Sequence, residues 1–410
     1  MKSTKIAYLF EYPKFKRAIK NNIKPLIFFF PHYHFGGGER VHLDILRAME
    51  GYEHTTFIIH PSFNDFFKED FYTATHIIPI YKIASIKYPS YLKTIAREIN
   101  KLPHPTVFGC NNLFFYKLLP YLKPEVQVID LTHAFTYEDQ KAPEKVSLPL
   151  VPRIDKRVVL GHKTLEDYRA LYASAGIPEQ EIDKIQIIRN TTEIPEAYPQ
   201  KKENKSLEIL FVSRNSKEKR PEIFFKIAEK SFQLGIDARF SVIGDFDETL
   251  PHTPNLKIIG SIKDRAVLNT IYKDADLLLI TSFREGLPMV CLESMAYGVV
   301  NLCTPVGEIP HTFGKGSGAV VIQDKTLPHY LNKVYDEKYA EKWLPKHLLG
   351  ERLTEEEDQL IDAFIEQIKL FSSNRALLRE MSSKAYDFVK EHFSRQTFNR
   401  KYSELLAPQV

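Results

Sequence analysis

At 410 residues the chain is longer than one hydrophobic core usually supports, so two domains of roughly 200 residues are expected. Hydrophobic residues at 43% and charged residues at 26% exclude wholesale disorder, and 56 Lys plus Arg against 52 Asp plus Glu, a net +4, gives no argument for a nucleic-acid partner. The three cysteines, Cys110, Cys291 and Cys303, are scattered without zinc spacing, which indicates neither a disulfide framework nor a structural metal. No apolar run approaches the ~20 residues that span a bilayer. The amino terminus, interrupted by Glu11 and Pro13, lacks a secretory h-region, so a cytoplasmic location is expected.

Residues 1–23 are lysine-rich and read as an extension before the first core strand, Pro25 to Pro31. That strand runs through His32 into Gly36-Gly37-Gly38-Glu39-Arg40 and a helix. A glycine cluster there lets backbone N–H groups approach an anion, or makes a tight turn. Strands at Thr55 to His60, Thr106 to Cys110, Val126 to Thr132 and Lys156 to Leu160 alternate with helices at Tyr91 to Lys101 and Asn112 to Leu122. This is the doubly wound α/β pattern, and His133 follows its Val126 to Thr132 strand. Lys82, Lys87, Lys93, Arg97 and Lys101, interleaved with Tyr81, Tyr88 and Tyr91, suit a solvated helix face or docking on an anionic membrane surface. The polar, proline-containing stretch 193–206 reads as a domain boundary.

A second sheet opens with Leu207 to Val212. The next loop carries Arg214 and Lys219 into an amphipathic helix ending near Gly235. Arg239 to Ile243, the turn Gly244-Asp245-Phe246-Asp247, Asn255 to Ile262 and a helix at Arg265 to Lys273 lead to the apolar strand Ala275 to Ile280. After it, Gly286 gives the chain freedom to turn, Pro288 suits the first turn of a helix, and Gly298 suits a left-handed cap at its end. Glu285 is thereby placed in the loop beyond the strand's carboxyl end and Glu293 inside the helix, where open α/β sheets bind ligands. Residues 336–372, with the only tryptophan, Trp343, and a capping box at Thr354, read as an insertion or elongated helical segment before helices at Arg375 to His392 and Arg395 to Leu406.

Glu285 and Glu293, eight positions apart and accompanied by Ser282, Gly286, Pro288, Ala296 and Gly298, resemble the E-x7-E signature of the retaining, family 4 (group 1) glycosyltransferases with the GT-B fold. Gly36 to Arg40, His133-Ala134-Phe135, Ile185 to Asn190, the Arg214 and Lys219 spacing and Gly244-Asp245 resemble further motifs of that family. The resemblance implies two Rossmann-like, doubly wound domains facing a cleft, 1–192 and 193–392, with 393–410 crossing back onto the first. It further implies that Glu285, with the amides of Gly286 and Leu287, holds a donor sugar, that Glu293 binds the nucleotide ribose, and that Arg214 and Lys219 meet the diphosphate. His133 would contact the sugar, Gly36 and Gly37 would line the cleft, Gly244 would turn beside the donor, and the backbone of Ser261 and Ile262 would meet the base.

Asp245 and Asp247 spell a metal-binding pair, but Arg214 and Lys219 already supply positive charge, so a metal-independent reaction without a cofactor is expected. The expected partners are a nucleotide-sugar donor and a glycan or lipid-linked acceptor of envelope polysaccharide synthesis, with peripheral membrane contact. Retention by double displacement needs a close carboxylate pair. Glu293 lies roughly 7 Å beyond Glu285 by helical rise, so front-face attack is implied instead. Departures from the family pattern fall at His162, Thr191, Ser213, Arg220, Phe246 and Val306 to His311. They leave room for a catalytically inactive scaffold subunit. A phosphorylase or epimerase of the same fold is a further alternative, and a periplasmic-type binding protein is excluded by the missing signal segment.

Overall fold

The structure, a computed structural model, describes residues 2–81, 90–110, 112–136, 139–202, 204–331 and 353–407, together with 344, 348 and 350. The predicted membrane-facing residues Lys82, Lys87 and Tyr88, and Trp343, lie outside the described residues. Two compact units form, Met1–Asn190 with Gln396–Val410, and Thr191–Arg395.

The first unit is a seven-stranded sheet in the order β3-β2-β1-β4-β5-β6-β7, with every pair parallel. Its strands are β1 (Leu26–Phe30), β2 (His54–Ile58), β3 (His76–Pro79), β4 (Thr106–Cys110), β5 (Gln127–Thr132), β6 (Lys156–Val159) and β7 (Ile185–Ile187). β1, β2 and β4 are buried at every position, as strands covered by helices on both faces must be. Their aromatics interlock, Phe29 stacking on Phe57 at 4.9 Å and Phe28 meeting Phe108 edge-on at 5.7 Å. The edge strand β3 and the helices Lys68–Ala74 and His162–Ser174 have no counterpart in the sequence reading. β3 buries only its two central residues and ends in Pro79, so it lacks the long apolar run that marks a central strand.

Residues Lys2–Asn22 form a helix and not merely an extension, and its Phe15 and Ile19 enter the core. The helix predicted to reach Leu122 stops at Leu118 and tightens into a single turn at Leu119–Tyr121, where Pro120 removes a donor. The helix Arg395–Leu406 belongs to this unit, with Tyr402 fully buried against Phe108.

The second unit is a six-stranded parallel sheet in the order β10-β9-β8-β11-β12-β13. Its strands are β8 (Leu207–Val212), β9 (Ala238–Ile243), β10 (Leu256–Gly260), β11 (Leu277–Ile280), β12 (Val300–Cys303) and β13 (Ala319–Val321). The helix Glu355–Ser373 starts at the Thr354 capping box. It sends Leu360, Ile361, Phe364, Ile365, Ile368 and Phe371 into the core of this unit, so the described part of 336–372 is a core helix. In each sheet the strand order reverses at one place, between β1 and β4 and between β8 and β11. Such switch points open a crevice beyond the carboxyl ends of the strands.

Candidate functional site

The loops leaving β8 and β11 flank the switch point of the second unit and are laced together by hydrogen bonds. Thr281 Oγ1 donates to the carbonyls of Lys219 and Arg220 at 2.8 and 3.0 Å, and Phe283 N donates to Glu218 O at 2.9 Å. The lacing turns on Arg220, which stands at φ 47° in the left-handed region that favours glycine. Its side chain is wholly buried. It donates to Thr281 O and Ser282 O, to Thr326 Oγ1 at 2.6 Å, and to Asp324 Oδ2 at 2.5 Å in a fully enclosed ion pair. Arg220 stands where the family resemblance expects a glycine; it adopts the backbone conformation glycine favours and adds a staple between the two loops.

That lacing brings Lys219 and Glu285 together. Lys219 Nζ lies 2.7 Å from both carboxylate oxygens, and Ser282 Oγ donates to Oε1 at 2.6 Å. The pair is shielded, with 19% of the Lys219 and 8% of the Glu285 side chain exposed. Arg214 joins through Glu218, whose Oε1 it meets at 3.3 Å, while Arg284 donates to Glu218 Oε2 at 2.7 Å. Burial alone would raise the Glu218 pKa, but Lys219, Arg284 and Arg214 together hold it below the ordinary glutamate value. Three cations and two carboxylates thus gather at the start of the helix Pro221–Gln233, whose dipole is positive there.

Glycines set the floor of this site. At Gly244, φ 149°, a Cβ would fall 1.8 Å from Ser213 O, so the β9 turn can pass under the β8 loop only without a side chain. At Gly307, φ 55°, a Cβ would fall 2.2 Å from Glu285 O, and Glu308 N donates to Gly286 O at 2.9 Å. The segment Val306 to Glu308, unassigned from sequence, is the bed on which Glu285 and Gly286 rest. Leu287 is buried behind them. Pro288 is the N-cap and not a residue of the first turn, and Gly298 ends the short helix at φ 68° as expected.

Glu293 is held elsewhere. Its carboxylate pairs with Arg265 at 2.8 Å, at the start of the helix Arg265–Asp274. Burial, reinforced by the Glu293 charge, pushes the nearby Tyr272 phenol well up. Ser261 is exposed and Ile262 half-buried beyond β10, whose last residue Gly260 accepts from Gly244 N at 3.1 Å. Asp245 accepts from Asn215 N at 2.6 Å and ties its turn to the β8 loop, whereas Asp247 accepts from Thr249 N at 2.8 Å and Oγ1 at 2.7 Å as a local turn cap.

In the first unit, Gly36 is extended, and the space where its Cβ would stand is taken by the Glu39 carboxylate, 2.2 Å away. Gly37 begins the helix Gly37–Ala48. The Glu39 side chain thus folds back over Gly36, and only glycine leaves it room. His133, beyond β5, places Nε2 2.8 Å from Nε2 of His42, and burial lowers its pKa to about 4.

Sequence reasoning missed Glu218, Arg220, Arg284, Arg265 and His42. The spacing of Glu218, four residues after Arg214, was the one local signal available.

Residues 193–344 match the family described as Glycosyl transferases group 1. Among solved structures, the chain is similar to Anabaena HepE in complex with UDP at 13% identity and a TM-score of 0.65, over 94% of this chain and 100% of that one. Sucrose-phosphate synthase from Thermosynechococcus elongatus is similar at 13% identity and a TM-score of 0.66, over 93% of this chain and 98% of that one. A glycosyltransferase from Rickettsia africae is similar at 15% identity and a TM-score of 0.65, over 94% of this chain and 100% of that one. Comparison with curated proteins finds no match. The two parallel sheets, of seven and six strands, are the GT-B fold.

Proposed function

We propose that the chain is a retaining glycosyltransferase that moves a sugar from a nucleotide-diphosphate donor to a hydroxyl of a glycan or lipid-linked acceptor. The observation that carries this reading is the shielded Lys219 and Glu285 pair beside Arg214 at the switch point of the second sheet. A donor diphosphate competes with Glu285 for Lys219. When it wins, both Glu285 oxygens are released to accept hydrogen bonds from the sugar, so phosphate and sugar recognition are coupled in one exchange.

As the glycosidic bond breaks, charge grows on the leaving phosphate, where Arg214, Lys219 and the N-terminus of the helix Pro221–Gln233 meet it. The acceptor hydroxyl then attacks from the same face. Because these cations are supplied by the chain, the donor site runs without a divalent metal. Glu293, oriented by Arg265, accepts the ribose hydroxyls.

Anabaena HepE has been solved with UDP and with UDP-glucose, so UDP and its sugars are the first probes. Calorimetry with UDP, GDP and ADP on the wild type and Glu293→Ala tests the reading. Binding of one nucleotide, weakened by the substitution, supports it. Binding of none favours a scaffold subunit.

A cytoplasmic protein docked on the membrane for envelope polysaccharide synthesis completes the proposal. Lys93, Arg97, Lys101, Lys123 and Tyr121 line a cavity of about 340 Å³ at the end of the first sheet opposite Gly37 and His133. Docking there leaves the carboxyl edge open. Failure to float with anionic liposomes would remove this part.

A further inference from the structure

At the switch point of the first sheet, three side chains from three elements converge. His42 comes from the helix after β1, Cys110 ends β4, and His133 follows β5. Nε2 of His42 lies 2.8 Å from Nε2 of His133 and 2.8 Å from Sγ of Cys110, and the three atoms fall within 4.8 Å of one another. A ring nitrogen has a single in-plane direction along which it either donates or accepts. Here two close partners share that direction, and one proton cannot serve both well. A cation among the three would take all three lone pairs at once.

The surroundings are dry and rigid. His42 and Cys110 are each 1% exposed, and Phe30 stacks on the His42 ring at 4.3 Å, with the planes 5° apart. His133 is only partly buried, and the backbone of Gly38 passes close enough that a Cβ there would touch its ring at 3.9 Å. Two ligands are thus enclosed while the third reaches an open side.

We propose that His42, Cys110 and His133 form a Zn²⁺ site with three protein ligands and a fourth position for water or a substrate hydroxyl. Two imidazoles and a thiolate suit zinc, whereas Mg²⁺ and Ca²⁺ prefer oxygen. Tetrahedral zinc needs about 3.3 Å between ligand nitrogens and about 3.6 Å between nitrogen and sulfur. The two 2.8 Å separations therefore open by less than about 1 Å on loading. Binding releases the Cys110 thiol proton to solvent as the sulfur-zinc bond forms. The site is separate from the donor chemistry, which draws its positive charge from Arg214 and Lys219. This departs from the expectation of a chain without metal.

The test is titration of the full chain, stripped with chelator, with Zn²⁺ and with Co²⁺ as a spectroscopic probe. One equivalent of each should bind, and Co²⁺ should give a thiolate-to-cobalt charge-transfer absorption. Cys110→Ser, close to isosteric, should abolish that absorption, and both it and His42→Gln should lower Zn²⁺ affinity by at least about tenfold, since losing even an indirect partner of a metal ligand costs that much. Circular dichroism of the unloaded variants reports whether they stay folded. No binding to the stripped wild type, or wild-type affinity in both variants, overturns the proposal. UDP binding, measured in parallel, should be indifferent to these substitutions, so failure here is distinct from failure of the donor reading.

Discussion

Asp324→Asn should destabilise the second unit far more than its single-atom change suggests. Asp324 and Arg220 are both fully enclosed, and the carboxylate also accepts from Thr326 N at 2.9 Å and Thr326 Oγ1 at 2.5 Å. Asparagine keeps the shape and removes the charge, which leaves the Arg220 guanidinium buried without a counterion. Breaking a buried pair in this way costs about 3–5 kcal/mol. Arg220 also sits in a left-handed conformation that costs a branched-chain or long side chain roughly 1–2 kcal/mol, so the loop has an incentive to rearrange once its anchor is gone. For a unit of this size each kcal/mol moves Tm by about 2–4 °C, which puts the expected fall at about 6–20 °C. Scanning calorimetry of the full chain reads it directly, because a loss confined to one unit moves one transition and spares the other. The double variant Arg220→Met/Asp324→Asn, which leaves no buried charge, should unfold above Asp324→Asn alone. A fall of under 2 °C, about 1 kcal/mol or less, would refute the claim that this pair staples the two loops.

The same geometry yields four more tests. Lys219→Ala and Glu285→Ala should each slow release of nucleoside diphosphate, from the nucleotide-sugar whose base the calorimetry selects, by about 10²–10³-fold. Combined, they should fall short of the product of the two losses by at least about 1 kcal/mol, since the side chains touch, and additivity within about 0.5 kcal/mol would show that they act independently. Gly307→Ala should displace the Glu285 and Gly286 backbone and abolish turnover of the nucleotide-sugar, whereas Gly314→Ala, whose Cβ meets nothing within 4 Å, should leave turnover unchanged. Withholding Mg²⁺ and Mn²⁺ should leave donor hydrolysis unaltered, and a tenfold loss would sink the metal-independent donor site. Finally, burial lowers the pKa of His54 to about 4. The unfolded chain therefore binds its proton first, so the stability this histidine contributes is complete above about pH 6.5 and declines as pH falls toward 4, by of order 1 kcal/mol per pH unit. His54→Gln should flatten that decline in an acid titration followed by circular dichroism, and an unchanged slope would assign the acid sensitivity elsewhere.

The central strands were legible because burial on both faces writes an uninterrupted apolar run, as in Leu26–Phe30 and Leu277–Ile280. β13, three half-buried residues at a sheet edge, carries no such record. Among the candidate site residues, Lys219 and Glu285 could be read from their spacing after buried strands, and the structure joins them. Glu218 offered only its spacing four residues after Arg214. In Ser216-Lys217-Glu218-Lys219 it looks like one more solvated charge, and its partner Arg284 arrives from a loop 66 residues later. His42 is a helix residue with no local motif, and only the topology sets it against the ends of β4 and β5.

Position 220 shows why departures from a motif need a physical reading. Counted by residue identity, an arginine for a glycine weakens the case for a working loop and favours an inactive scaffold. Counted by conformation, position 220 has the left-handed φ that glycine favours, and the added side chain is matched by an aspartate 104 residues away. Gly307 makes the same point from the other direction: its segment departs from the expected motif, yet the position where a Cβ would strike the Glu285 carbonyl is a glycine. Ser213 and Phe246 are likewise accommodated, the serine hydroxyl donating to Arg214 O and the phenylalanine packing on Phe211. With these neighbours accommodated, Lys219 stands within hydrogen-bond reach of Glu285, which is the arrangement the proposed transfer uses.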